Sequence, residues 1–245
     1  MKLEKLIFNY YYLRMENEIY IGIDEVGRGA LAGPVGVAAV ILKKSDFQKL
    51  NPKNSHLNLP PLKDSKKLTP YQRQIWFDYL TNKLKLPYAV AMVSSKVIDK
   101  INISKAANLA ATRAIYKLLL YSTIVNYNSK MKLKIFLDGG LYLYGQTKNQ
   151  KRQIYPLKKL FKGNPFQCQI QTLTRADEKI KAVKIASIIA KVSRDKKMLK
   201  IHKQYPHYDF LNNKGYGTKK HLDAIKKFGW LSFHRLTFLK NHFKI

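Results

Sequence analysis

Residues 20–42 read YIGIDEVGRGALAGPVGVAAVIL. Two runs rich in β-branched and apolar side chains, Ile19–Ile23 and Pro34–Leu42, flank a glycine-rich segment, which predicts two largely buried strands joined by a tight connection. The first strand ends on Asp24 and Glu25. Adjacent like charges at the end of a buried strand repel each other, so they need a cation or a proton close by.

Outward from this stretch the chain alternates strand and helix patterns. Residues 43–63 are polar and contain proline, and read as a surface excursion ending at Asp64-Ser65-Lys66-Lys67. Thr69-Pro70-Tyr71-Gln72 has the form of a capping box, with proline at the first helical position, and predicts a helix to about Lys85. A strand is expected over Pro87–Ser95, a helix from about Ser104 to Leu120, and a strand over Lys132–Gly140 that ends on Asp138. Gln167–Arg175 alternates polar and apolar residues as a further strand, followed by a long helix over about Glu178–Lys203. Thr218 can cap a helix closed by Gly229, and a short last helix is expected near Ser232. Such alternation implies an α/β layer architecture. It divides the chain into an N-terminal extension (1–18), a main domain (19–203) and a C-terminal helical segment (204–245) packed on it.

The composition bounds the function. The 245 residues carry 46 Lys and Arg against 15 Asp and Glu, a formal charge of +31. A Lys-rich coding bias contributes to such a balance, but so does a polyanionic partner, and the regular strand patterns favour an enzyme or a large binding domain over a histone-like protein. A single cysteine, Cys168, allows no internal disulfide or thiolate zinc site and fits a reducing, cytoplasmic setting. No apolar run reaches the ~20 residues of a membrane helix. A monomer is expected, since no sustained heptad is present.

Three features place acids where structure does not ask for them: Asp24-Glu25, Asp138 at a strand end, and Asp177 at a helix start. Taken singly, Asp177 fits a helix cap and Asp138 fits an Asp-Gly-Gly turn. Gathered together in a basic protein, they suit Mg2+, which binds a few carboxylates along with water and substrate phosphates. A metal pair ~3.5–4 Å apart supports phosphodiester hydrolysis. The glycines at 27, 29 and 33 do not make a dinucleotide site, because Pro34 and a strand follow where a helix would have to open.

Seven segments resemble ribonuclease HII, the type 2 ribonuclease H of bacteria, in that family's order: GIDEVGRGALAGPV, LKDSKKLT, IDKINISKA, FLDGG, ADEKIKAVKIASIIAKVSRD, KGYGTKKH and HRLTF. The resemblance spans Tyr20–Phe238. It implies an RNase H-like mixed β-sheet flanked by helices, with a C-terminal helical segment, and four acidic catalytic and metal-binding positions at Asp24, Glu25, Asp138 and Asp177. The implied cofactor is Mg2+ or Mn2+. The implied reaction cleaves the RNA of RNA–DNA hybrids and cuts on the 5′ side of ribonucleotides embedded in duplex DNA, leaving a 3′-hydroxyl and a 5′-phosphate.

By the same resemblance Gly27, Arg28 and Gly29, with Tyr216, read the 2′-hydroxyl at an RNA–DNA junction. Glycines let a main chain approach the sugar, and the 2′-hydroxyl is what separates RNA from DNA. Lys66 is given a phosphate contact. Arg194-Asp195 and His234-Arg235 are read as structural pairing and packing, with backbone contact from Arg235. Ala30, Gly140 and Ala176 depart from the family's usual Pro, Asn and Gly, and the basic stretch 141–166 is longer than the family suggests. The sister type, ribonuclease HIII, is disfavoured by Arg28, where that group typically has Lys. A non-catalytic nucleic-acid-binding protein is the rival from another class.

Overall fold

The computed structural model describes residues 18–51, 58–121, 132–143 and 167–244. The expected N-terminal extension, apart from Glu18, and the basic stretch 141–166, apart from Leu141–Leu143, lie outside the described residues.

Strands β1 (Glu18–Val26) and β2 (Val35–Lys43) pair antiparallel, with Ile23 opposite Ala39. β2 is buried along its whole length, as its unbroken apolar run predicts. β3 (Tyr88–Val93) adds antiparallel to β2, while β4 (Lys132–Asp138) and β5 (Gln167–Leu173) extend the other side in parallel, giving the order β3-β2-β1-β4-β5. This is the expected mixed sheet, and it puts the ends of β1 and β4 side by side.

Each face of the sheet is covered by a long helix. One face packs Ile19, Ile21, Ile23, Leu133, Ile135 and Leu137 against α4 (Ile103–Tyr121), whose Ala106, Ala107, Ala110, Ala111 and Ala114 are fully buried. Small side chains at helical spacing let this helix lie close to the sheet. The other face packs Ala38, Val40 and Leu42 against α6 (Lys181–Gln204) and α2 (Pro70–Asp78). Here β1 and α6 touch through their backbones: a Cβ on Gly22 would stand 2.1 Å from the Ala182 carbonyl carbon.

The structure departs from the sequence reading in a few places. The excursion after β2 holds a short helix, α1 (Asp46–Lys49), where buried Asp46 accepts a hydrogen bond from the Lys43 amide at 2.8 Å and Leu50 joins the core. The Thr69 capping box is formed, but α2 stops at Asp78 and continues as a π-turn to Lys83 before the left-handed Lys85 ends it. An additional helix, α3 (Ser95–Ile101), precedes α4 and is separated from it by Asn102 at φ 66°.

Beyond α6 the chain folds into α7 (Phe210–Asn213), α8 (Lys219–Phe228) and α9 (Leu236–Leu239) around a small core of Leu31, Met198, Tyr208, Phe210, Ile225 and Leu239. Thr218 and Gly229 bound α8 as expected. α9 begins at Leu236 rather than near Ser232, because Asp99 of α3 accepts hydrogen bonds from the Leu236 and Thr237 amides, each at 3.0 Å. No helix among the described residues is long and apolar enough to cross a membrane.

Candidate active site

The parallel pairing of β1 with β4 runs to Ile23 opposite Leu137, so the next residue of each strand is an aspartate at the same edge of the sheet. Carboxylate oxygens of Asp24, Glu25 and Asp138 lie within 4.8 Å of one another. Asp177 comes from the short helix α5 (Ala176–Lys179). Asp138 reaches that helix directly, accepting a hydrogen bond from the Ala176 amide at 2.7 Å. Ala176 is buried there without strain; the left-handed residue is Arg175, one place earlier. Asp177 stands outside the tight set of three, with its Oδ2 3.8 Å from the Lys66 ammonium.

These carboxylates sit where charge is costly. Asp24 is 5% exposed, and burial, followed by the charges of Glu25, Asp138 and Asp177, raises its pKa well above the usual carboxylate value. Burial likewise raises Glu25, with Arg28 opposing, and raises Asp177, with Asp138 and Asp64 adding to the effect. Glu25 Oε1 accepts a hydrogen bond from Arg28 Nη1 at 3.4 Å, whereas Oε2 is buried and has no hydrogen-bond partner among the described residues. An orphaned, buried carboxylate oxygen beside two more carboxylates is the environment that a hard divalent cation with oxygen ligands relieves. The residues present therefore fit such an ion: Asp24, Glu25 and Asp138 supply the converging oxygens, and Asp177 lies next to them.

The glycine-arginine turn after β1 borders this cluster. Arg28 bridges Glu25 and the Ser104 hydroxyl, the latter at 3.0 Å at the start of α4. Gly27 and Gly29 differ. Gly27 has φ +81°, and a Cβ there would lie 2.1 Å from Arg194 Nε; a Cβ on exposed Gly29 would meet nothing within 4 Å among the described residues. The turn 64–67 places Lys66 on the other side. Asp64 accepts from the Lys66 amide at 3.1 Å, and buried Arg73 donates to the carbonyls of Ser65 and Leu68. Although burial opposes it, the charges of Asp177, Asp64, Asp24 and Asp138 raise the pKa of Lys66, so it stays protonated. Tyr216 is half-buried in the loop before α8; that loop is tied to the glycine-rich turn by the Leu31 and Ala32 amides, which donate to the Gly215 carbonyl at 2.8 and 3.1 Å.

Two sequence readings are corrected. Arg194 does not pair with Asp195, which instead accepts from Lys191 at 2.9 Å; Arg194 is fully buried and donates to the carbonyls of Ala32, Pro34 and Lys214. Arg235 does contact a backbone, but the protein's own: it is fully buried and donates to the carbonyls of Gly27, Arg28 and Gly33. Asp64, which accepts from the Lys66 amide, and Ser104, which holds Arg28, also shape the site. Only Asp64 carried a local signal, as the residue opening the Asp-Ser-Lys turn. Cys168, on β5, has its thiol pushed up to about 12 by burial, in keeping with its exclusion from thiolate chemistry.

Known proteins resemble this chain over most of its length. The chain is 41% identical over 218 residues to ribonuclease HII of Endomicrobium trichonymphae, covering 89% of this chain and 83% of that one. It is 40% identical to ribonuclease HII of Pelagibacter ubique, covering 90% and 96% respectively. The crystal structure of ribonuclease H2 from Pyrococcus horikoshii superposes with a TM-score of 0.61 at 24% identity, covering 89% of this chain and 93% of that chain, and so shares the RNase H-like fold. The profile of the family described as Ribonuclease HII matches residues 21–244, and the chain belongs to that family.

Proposed function

We propose that this protein is a divalent-metal-dependent endoribonuclease that hydrolyses the RNA strand of RNA–DNA hybrids and cuts 5′ of ribonucleotides embedded in duplex DNA, leaving 3′-hydroxyl and 5′-phosphate ends. Membership of the ribonuclease HII family supports the hybrid-directed activity. The observation that carries the chemistry is the group of Asp24, Glu25 and Asp138, with carboxylate oxygens within 4.8 Å of one another, in which Glu25 Oε2 is buried and has no hydrogen-bond partner among the described residues.

In this reading Asp24, Glu25, Asp138 and Asp177 hold Mg2+ or Mn2+. Bound there, such an ion would supply polarisation of a water and charge neutralisation at the phosphate. Lys66 offers its ammonium to a phosphate oxygen beside the cluster, while its contact with Asp177 keeps it there between turnovers. Arg28 is held by Glu25 and Ser104 with its turn facing solvent at Gly29, where a sugar can approach the main chain. Tyr216 presents a flat apolar face to that sugar and base. The working unit is a cytoplasmic monomer.

The test is substitution of single carboxylates. Asp24→Asn and Asp138→Asn are each expected to abolish cleavage of an RNA–DNA hybrid in Mg2+ or Mn2+ while leaving its binding within about threefold, because charge rather than shape is removed. Cleavage at the wild-type rate by either variant would overturn the assignment.

A further inference from the structure

Two loops far apart in sequence, 27–33 and 213–217, carry the residues assigned to the sugar, and the buried dipeptide His234-Arg235 is bonded to the first directly and linked to the second through His221. Arg235 Nη2 donates to the Gly27 carbonyl at 2.7 Å, Nη1 to the Arg28 carbonyl at 2.8 Å and Nε to the Gly33 carbonyl at 3.1 Å. In a trans peptide the carbonyl of one residue and the amide of the next point in opposite directions. Drawing the Gly27 and Arg28 carbonyls inward therefore turns the amides of Arg28 and Gly29 outward. Among the described residues neither amide meets an acceptor, and beside them Gly29 has open space.

His234 governs the other loop. The Leu231 amide donates to His234 Nδ1 at 2.8 Å, so that ring carries its proton on Nε2. His234 Nε2 lies 3.2 Å from His221 Nε2, and His221 Nδ1 lies 2.9 Å from the Tyr216 carbonyl. One pattern satisfies all three contacts: His234 donates to His221, and His221 donates to Tyr216. Both rings are buried. The segment is itself seated against the glycine-rich turn, through a bridge between His234 and Ala32 and the Gly33 amide donating to the Phe233 carbonyl at 2.8 Å. Arg194 closes the frame, bonded to Ala32 and Lys214 and stacked 5.6 Å from the centre of the Tyr216 ring.

We infer that Arg235 and the His234–His221 pair are positioning residues for ribonucleotide selection: they aim the Arg28 and Gly29 amides outward and hold Tyr216 in register with them. Selection for a 2′-hydroxyl then depends on side chains that never touch the substrate. This rests on the proposed roles of the Gly27–Gly29 turn and Tyr216. A hydroxyl one atom in size is recognised only if donors and ring are fixed relative to each other, whereas phosphate contacts tolerate small displacements.

The readout is preference: affinity for a duplex with one ribonucleotide divided by affinity for the matching all-DNA duplex, measured with Ca2+ in place of the catalytic metal. His221→Phe removes the bond to Tyr216, and is expected to lower the preference about tenfold, the size of one hydrogen bond, with all-DNA affinity changed less than about threefold. His221→Asn, whose amide can take the place of Nδ1 and still donate to Tyr216, should keep the preference within about threefold. Added to Tyr216→Ala, His221→Phe should lower it no further, as residues acting through one another are non-additive. Thermal melting monitors folding, and if His221→Phe does not melt cooperatively, Arg235→Lys is read by the same ratio. Equal loss of both affinities in a folded variant, unchanged preference, failure of His221→Asn to restore it, or additivity with Tyr216→Ala would each overturn the inference. A wild-type protein with no preference and no cutting would instead overturn the proposed function beneath it.

Discussion

Gly27 and Gly29 stand two residues apart in one motif, yet different forces keep a side chain from each. At Gly27 the positive φ and the 2.1 Å approach to Arg194 leave no room for a methyl. Gly27→Ala should therefore destabilise the fold by about 2–4 kcal/mol, visible as a lower melting temperature. At Gly29 nothing among the described residues opposes one. Gly29→Ala should leave stability within about 1 kcal/mol yet slow cutting at an embedded ribonucleotide at least about tenfold, since the methyl occupies the space left for the sugar. Melting curves and a nicking assay on the two variants check this, and a fast, stable Gly29→Ala enzyme would remove the turn from recognition. The sequence alone left both glycines equally readable as a tight turn or as a recognition element, because φ and the proximity of Arg194 are tertiary facts. Arg194 and Arg235 were harder still, as nothing local marks an arginine most of whose partners are carbonyls some 160 to 208 residues away. Asp24-Glu25 was the opposite case: two acids ending an apolar run conflict with burial on sight.

Elements whose signals are local were readable, and those fixed from a distance were not. The Thr69 capping box and the Thr218 cap with Gly229 lie within one helical turn of what they bound, and both formed. The start of α9 is set by Asp99, more than a hundred residues earlier, so its boundary was misplaced. The C-terminal helical segment also has a pH response. Burial, then the neighbouring His221, lowers His234 from 6.5 to about 4, and burial lowers His221 as well. Their folded-state pKa lies below the unfolded one, so the unfolded chain takes up protons first as pH falls. The stability they contribute is complete above about pH 6.5 and is lost as pH falls below it, for His234 as pH drops toward about 4. For His234 the loss is on the order of 3 kcal/mol. The raised carboxylates of the cluster act with the opposite sign, but are common to wild type and variant. Denaturation midpoints measured at about pH 7 and about pH 4.5 should thus fall more steeply for wild type than for His234→Gln. Parallel slopes would mean that His234 is not buried neutral.

On the scale of the whole molecule, the +31 charge and the few buried acids divide the work. Lysines and arginines spread over the surface attract a polyanion without regard to sequence, so binding should weaken steeply with salt, about a thousandfold between ~50 and ~200 mM for six phosphate contacts. Titrations of a labelled duplex at several salt concentrations measure this slope; a flat dependence would exclude a backbone-tracking surface. The sheet then gathers Asp24, Glu25 and Asp138 from two neighbouring strands, and α5 adds Asp177, at one edge of the sheet, the edge to which the proposed function assigns hydrolysis. That meeting was only partly readable: three strand and helix ends each carried an acid, but the parallel pairing of β1 with β4 brings residues together across more than a hundred positions. The proposed function has this corner cut nucleic acid at a ribose, which is tested by incubating purified protein with a DNA duplex containing one ribonucleotide, in Mg2+ and in Mn2+, followed by end analysis. A single nick on the 5′ side of the ribonucleotide, with a 3′-hydroxyl and a 5′-phosphate, and none in the all-DNA duplex, is the expected result. An intact strand with both metals, or equal nicking of the all-DNA duplex, would contradict it.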